Sequence, residues 1–193
     1  MYQKGRSGLE AAKRMLGEHT PESDLERFRK IKKRYVEECI SDAELCPGFL
    51  ETRDYLVEKG KLVWICTSAP IELIEPVMEA HPELNKAFPK LDISFKGNVA
   101  YKGIVNKGMY TNSKPSGEPL LVTLEKMGLE EKRIISPQNA IYIGDAFPDY
   151  QSAVDAKMGF VYYCPENSTF DKEIPRDVPC IRHHEELKEL IRM

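Results

Sequence analysis

The segment from Asn139 to Tyr150, NAIYIGDAFPDY, runs apolar as far as Gly144 and then presents two carboxylates four residues apart, Asp145 and Asp149. Two further stretches place reactive groups at comparable points. Thr67 and Ser68 follow the apolar run KLVWIC, and Lys114 sits in the loop NSKPSGEP just before a helical pattern. A hydroxyl with nearby backbone N–H groups, an ammonium and a carboxylate pair are what a magnesium-assisted phosphoryl site requires. The hydroxyl and amides hold phosphate oxygens, the lysine offsets charge, and the carboxylates hold a hard cation with its waters.

Taken alone, each signal has a plain structural explanation. Asp149 could be the N-cap of a helix starting at Tyr150, Thr67 a strand-end hydroxyl bonded to backbone, and Lys114 an exposed loop lysine. Their joint occurrence, in order and each beside a strand or helix end, favours a shared site.

The elements that must position these groups follow from periodicity. Leu9, Ala12 and Leu16 mark a short amphipathic helix, and Leu25, Phe28, Ile31, Tyr35, Val36, Cys39 and Ile40 a longer one. Leu45-Cys46-Pro47-Gly48 interrupts, and Phe49 to Lys59 resumes the helical pattern until Gly60. Beyond this point strands and helices alternate: a strand over 61–66, a helix over 71–80, a strand over 91–95, then polar loop to Gly117. A helix over 118–127 closed by Gly128 follows, then a strand over 141–143 and a helix over 150–157. Strands at 160–164 and 179–181 and a helix at 185–191 complete the chain. Continuous apolar strands alternating with helices predict an α/β fold, a Rossmann-like parallel sheet with its ligand at the strands' carboxyl ends.

Composition narrows the function classes. Lys and Arg total 28 against 31 Asp and Glu, a net charge of -3, so there is no basic field for nucleic acid. Five cysteines, with no C-x-x-C pair and no zinc-like spacing to the four histidines, fit a reducing, cytoplasmic setting. No segment is apolar over the length a bilayer demands, so no membrane role is expected. His183-His184 reads as surface or capping, Trp64 as core, and Cys66 as a small buried hydrophobe.

VWICTSAP, SKPSGEPLLVTLEKMGL and IYIGDAFPDYQSAVDAKMGF together resemble the second, third and fourth motifs of the haloacid dehalogenase superfamily, in particular its phosphoglycolate-phosphatase-like branch. The resemblance implies a core at 47–193 behind a partial helical cap at 1–46. It also implies a magnesium-dependent phosphatase acting on a small phosphorylated substrate through an aspartyl-phosphate. Thr67, helped by Ser68, would bind the phosphoryl group; Lys114 would balance its charge, with Lys107 in reserve; Asp145 would hold Mg2+, and Asp149 would be a second ligand or orient a metal-bound water.

That superfamily carries a first motif, D-x-D, whose first aspartate is the nucleophile. No Asp in these residues has a second Asp two positions on; Asp24, Asp42 and Asp171 have Glu there, but none ends an apolar strand. The resemblance places the missing strand between those ending at Thr67 and Asp145. Three expectations follow, in this order: the chain is part of a longer enzyme, another chain donates the strand, or the flanking strands have closed up. By itself the chain is expected to be inactive, either an incomplete phosphatase or a phosphate-binding or regulatory module. An open edge would favour pairing with a second copy or a strand-donating partner.

Overall fold

The computed structural model of the chain describes residues 13, 16–95 and 98–191. The helix expected around Leu9 to Leu16 therefore lies almost wholly outside the described residues. Helix α1 (Glu22–Cys39) follows Pro21 and carries Glu22 and Asp24 in its first turn, where carboxylates oppose the positive end of the helix dipole. It buries Leu25 and leaves Ile31 and Tyr35 exposed. A 3-10 turn (Ile40–Asp42) leads through Pro47 to α2 (Phe49–Glu58). Gly48, at φ +73°, makes that entry in a left-handed conformation that a side chain would strain.

The α/β part begins at β1 (Ile65–Cys66), followed by α3 (Ile71–Ala80), α4 (Pro82–Ala87), β2 (Lys90–Phe95), β3 (Asn98–Tyr101) and β4 (Ile104–Val105). Then come α5 (Glu118–Glu131), β5 (Ile141–Gly144), α6 (Phe147–Asp155), β6 (Gly159–Tyr163), β7 (Cys180–Ile181) and α7 (Leu187–Leu190). β1 pairs in parallel with β4, and β5, β6 and β7 form a parallel three-stranded ladder. β2 and β3 make an antiparallel hairpin. Ile74, Met78, Leu84, Phe88, Tyr101 and Ile104 pack one core between α3, α4 and the β3–β4 segment. Leu120, Ala153 and Ala156 join α5 to α6.

The structure corrects several boundaries. The run 61–66 is a strand only over its last two residues, because β4, its ladder partner among the described residues, is itself two residues long. The polar stretch after residue 95, expected to be loop, contains β3 and β4; pairing with neighbouring strands overrides its polar composition. Helix α5 runs through Gly128 and ends at Glu131, with Lys132 at φ +52°. Gly128 serves close packing instead of termination, since a Cβ there would lie 2.7 Å from the Arg133 carbonyl oxygen. Helix α6 starts at Phe147, so Asp149 stands in its first turn and is not its N-cap.

β1 and β5 belong to different ladders. The amides of Ile65 and Thr67 donate to Gly103 and Val105 at 2.8 and 2.9 Å, which directs the Cys66 carbonyl to the opposite edge of β1. There it accepts from the Lys114 ammonium at 3.3 Å, with the Tyr142 phenol of β5 at 3.4 Å. Side chains, not a backbone ladder, span from β1 to β5.

Candidate functional site

Thr67 leaves β1 with its hydroxyl oxygen accepting the Ala69 amide at 3.0 Å and its carbonyl accepting the Tyr110 phenol at 3.0 Å. These bonds turn the backbone sharply after the strand, and Ser68 is exposed at the turn. Burial raises the Tyr110 pKa above its usual 10, opposed by a hydrogen bond to Ser68. The hydroxyl pair is therefore braced from the loop that also carries Lys114.

That loop is tied at both ends. The Glu118 carboxylate accepts the amides of Thr111 and Asn112 at 2.7 and 2.9 Å, which hold its pKa below the usual 4.5. The Gly117 amide donates to Asp155 of α6 at 2.6 Å, and the Ser152 hydroxyl donates to the Ser116 carbonyl at 2.6 Å. A Cβ on Gly117 would lie 2.6 Å from the Ala156 nitrogen, so this approach of loop to helix depends on glycine. The Lys114–Pro115 peptide bond is cis.

So held, the Lys114 ammonium donates to Asp149 Oδ1 at 2.9 Å, with side chains only 8% and 9% exposed. It also donates to the Tyr142 phenol oxygen and to the Cys66 carbonyl. The Tyr142 hydroxyl donates to Asp149 Oδ1 at 3.1 Å. Burial, and next the charge of Asp149, push the Tyr142 pKa well above 10, so this phenol is neutral. Burial likewise raises the Cys66 thiol above its usual 9.0, which leaves it a poor nucleophile.

Lys114, Asp149 and the carboxyl end of β1 thus meet in space, although residues 66, 114 and 149 are far apart in sequence. Lys107 is not part of the cluster: its side chain is exposed and its amide bonds to the Ala69 carbonyl. Asp145 stands half-buried one residue beyond β5, close enough for its charge to act on Tyr142 and Tyr163. Among the described residues no group of three or more His, Cys, Asp or Glu could hold a metal ion. Asp145 and Asp149 are the carboxylates that would hold a hard cation such as Mg2+ with its waters, and Asp149 already engages an ammonium and a phenol.

Sequence reasoning missed Tyr142. In IYIG it reads as one more apolar strand residue, and its contacts with Lys114, 28 positions away, and with Asp149 give it a polar role. The histidines resolve separately. His183 forms a capping box with Glu186, whereas His184 packs against Phe49 and Tyr163 at centroid distances of 5.5 and 4.5 Å. No helix among the described residues is long and apolar enough to cross a membrane.

The chain has a mixed α/β fold with parallel ladders. The family model for haloacid dehalogenase-like hydrolases matches residues 2–157, and the chain belongs to this family. It is 29% identical over 133 residues to phosphoglycolate phosphatase of Escherichia coli (strain K12), a match covering 68% of this chain and 45% of the relative. It is 28% identical over 124 residues to N-acetylmuramic acid 6-phosphate phosphatase of Pseudomonas aeruginosa, covering 64% of this chain and 46% of the relative. The chain thus spans less than half the length of these relatives. A haloacid dehalogenase hydrolase of family IA, variant 3, from Entamoeba histolytica superposes with a TM-score of 0.72 at 15% identity, over 98% of this chain and 79% of the other. At that identity the likeness concerns the fold.

Proposed function

We propose that the chain has the fold and site of a magnesium-dependent phosphatase of a small phosphorylated metabolite, with a partial cap at 1–46 and the α/β core at 47–193. Thr67 and Ser68 bind phosphate oxygens, Lys114 offsets their charge, and Asp145 holds Mg2+ with Asp149 as a second ligand or as the group that orients a metal-bound water. A strand ending in D-x-D, which these 193 residues do not contain, would supply the aspartate that accepts the phosphoryl group and from which water then removes it. The observation that carries this reading is the meeting of Lys114 and Asp149 at the carboxyl end of β1. The names of the two bacterial relatives support a phosphorylated small molecule as substrate. Mg2+ would supply charge neutralisation at the phosphoryl group.

A second reading, a phosphate-binding or regulatory module without turnover, is favoured by the engagement of Asp149 with Lys114 and by the absence of D-x-D from the sequence. Assay on para-nitrophenyl phosphate with magnesium separates the two. A version carrying an additional upstream strand that ends in D-x-D should turn over, whereas the 193-residue chain should not. Comparable turnover by both would mean that the nucleophile has been misidentified. Inactivity of both, with phosphate binding retained, would leave the module.

A further inference from the structure

An ammonium has three N–H donors. Those of Lys114 meet three acceptors: Asp149 Oδ1, the Cys66 carbonyl and the Tyr142 phenol. With a side chain only 8% exposed, Lys114 cannot engage an arriving anion unless one of these acceptors gives way.

The three acceptors differ in how firmly they hold. The Cys66 carbonyl belongs to a strand that β4 fixes on its other edge. The Asp149 carboxylate carries the opposite charge, so its bond to the ammonium adds the attraction of a buried ion pair, which a neutral oxygen does not offer. The Tyr142 oxygen is neutral and sits at the tip of a side chain. We infer that Tyr142 is the displaceable acceptor on Lys114: its hydroxyl occupies the position that a phosphate oxygen takes when the site fills, so the phenol restrains anion binding. This inference rests on the reading of Lys114 as the cationic side of a phosphate site.

The Tyr142 ring has a separate function. Its centroid lies 4.8 Å from the Lys114 ammonium, a cation–π contact that Phe would keep. Tyr142→Phe therefore removes the competing oxygen while leaving the lysine packed.

Calorimetric titration with inorganic phosphate tests the inference on the wild-type chain, Tyr142→Phe, Tyr142→Met, Lys114→Met, and Tyr142→Phe combined with Lys114→Met. Freeing one ammonium donor should tighten phosphate binding about fivefold in both single Tyr142 variants, roughly the net worth of one hydrogen bond. The gain should vanish in the double variant. Unchanged or weaker binding by Tyr142→Phe and Tyr142→Met, or no phosphate binding by any protein, would overturn the inference. Wild-type phosphate binding that is untouched by Lys114→Met alone would instead remove the role given to Lys114. The phosphatase reading itself stands or falls on turnover by the version bearing D-x-D.

Discussion

A methyl group on Gly144 would stand 2.4 Å from the Cβ of Asp149 and 2.9 Å from its Cγ, so the end of β5 and this carboxylate lie together only because residue 144 has no side chain. The G-D-x-x-x-D spacing acquires a steric meaning: glycine lets the first turn of α6 fold back under the strand and bring Asp149 to Lys114.

Gly144→Ala should accordingly lower stability by about 1–3 kcal/mol, the range of an overpacked interior site. Gly159→Ala makes a matched control. Its Cβ would meet Ile141 Cγ1 at 3.4 Å, an ordinary contact, and should change stability by less than about 0.5 kcal/mol. Urea denaturation of both variants is the measurement, and equal midpoints would show that the Gly144 approach has slack.

Lys114 and Asp149 form a buried pair, so removing either alone leaves a charge without its partner. Lys114→Met and Asp149→Leu should each cost about 3–5 kcal/mol, while the double variant should cost much less than their sum. A double-mutant cycle in urea reads this coupling. Additive losses would mean that the pair contributes little to folding.

His184 imposes a pH dependence. Burial lowers its pKa below the usual 6.5, partly opposed by a hydrogen bond to the Pro47 backbone, and its Nδ1 is buried with no hydrogen-bond partner among the described residues. Below pH 6.5 the unfolded chain takes up the proton more readily than the folded one. Stability is therefore full above 6.5 and falls as the pH drops from there through the depressed folded value. His184→Gln should flatten this dependence between pH 7 and the acid limb, measured as urea midpoints against pH. A slope retained in the variant would assign the effect to other groups.

Magnesium binding in the 193-residue chain should be weak, because the site offers few carboxylates and one of them is paired with Lys114. Thermal-shift titration should show a small stabilisation that Asp145→Asn removes. A low-micromolar affinity lost in that variant would contradict the expectation.

Much of this arrangement was legible before any coordinates. The alternation of strand and helix patterns predicts the parallel α/β core, because continuous apolar strands announce two covered faces. β3 and β4 were not legible: Asn98, Lys102 and Gly103 read as loop, and only pairing with β2 and β1 makes strands beside them. Gly128 misled for a related reason, since its need arises from the approach of the Arg133 carbonyl. Tyr142 was hidden by being aromatic in a strand, where a packing role is the ordinary one. Each miss depends on residues brought together by the fold, which no local window contains.

The two-residue length of β1 has a consequence for motion. Thr67 hangs on a ladder with β4 that spans only Ile65 and Cys66, whereas Asp145 follows a four-residue ladder with β6 that is backed in turn by β7. Local opening favours regions with few backbone bonds, so the amides of Ile65 and Thr67 should exchange with deuterium ahead of those in β6. The Thr67 edge is then held by fewer backbone bonds than the Asp145 edge, and local opening should begin there.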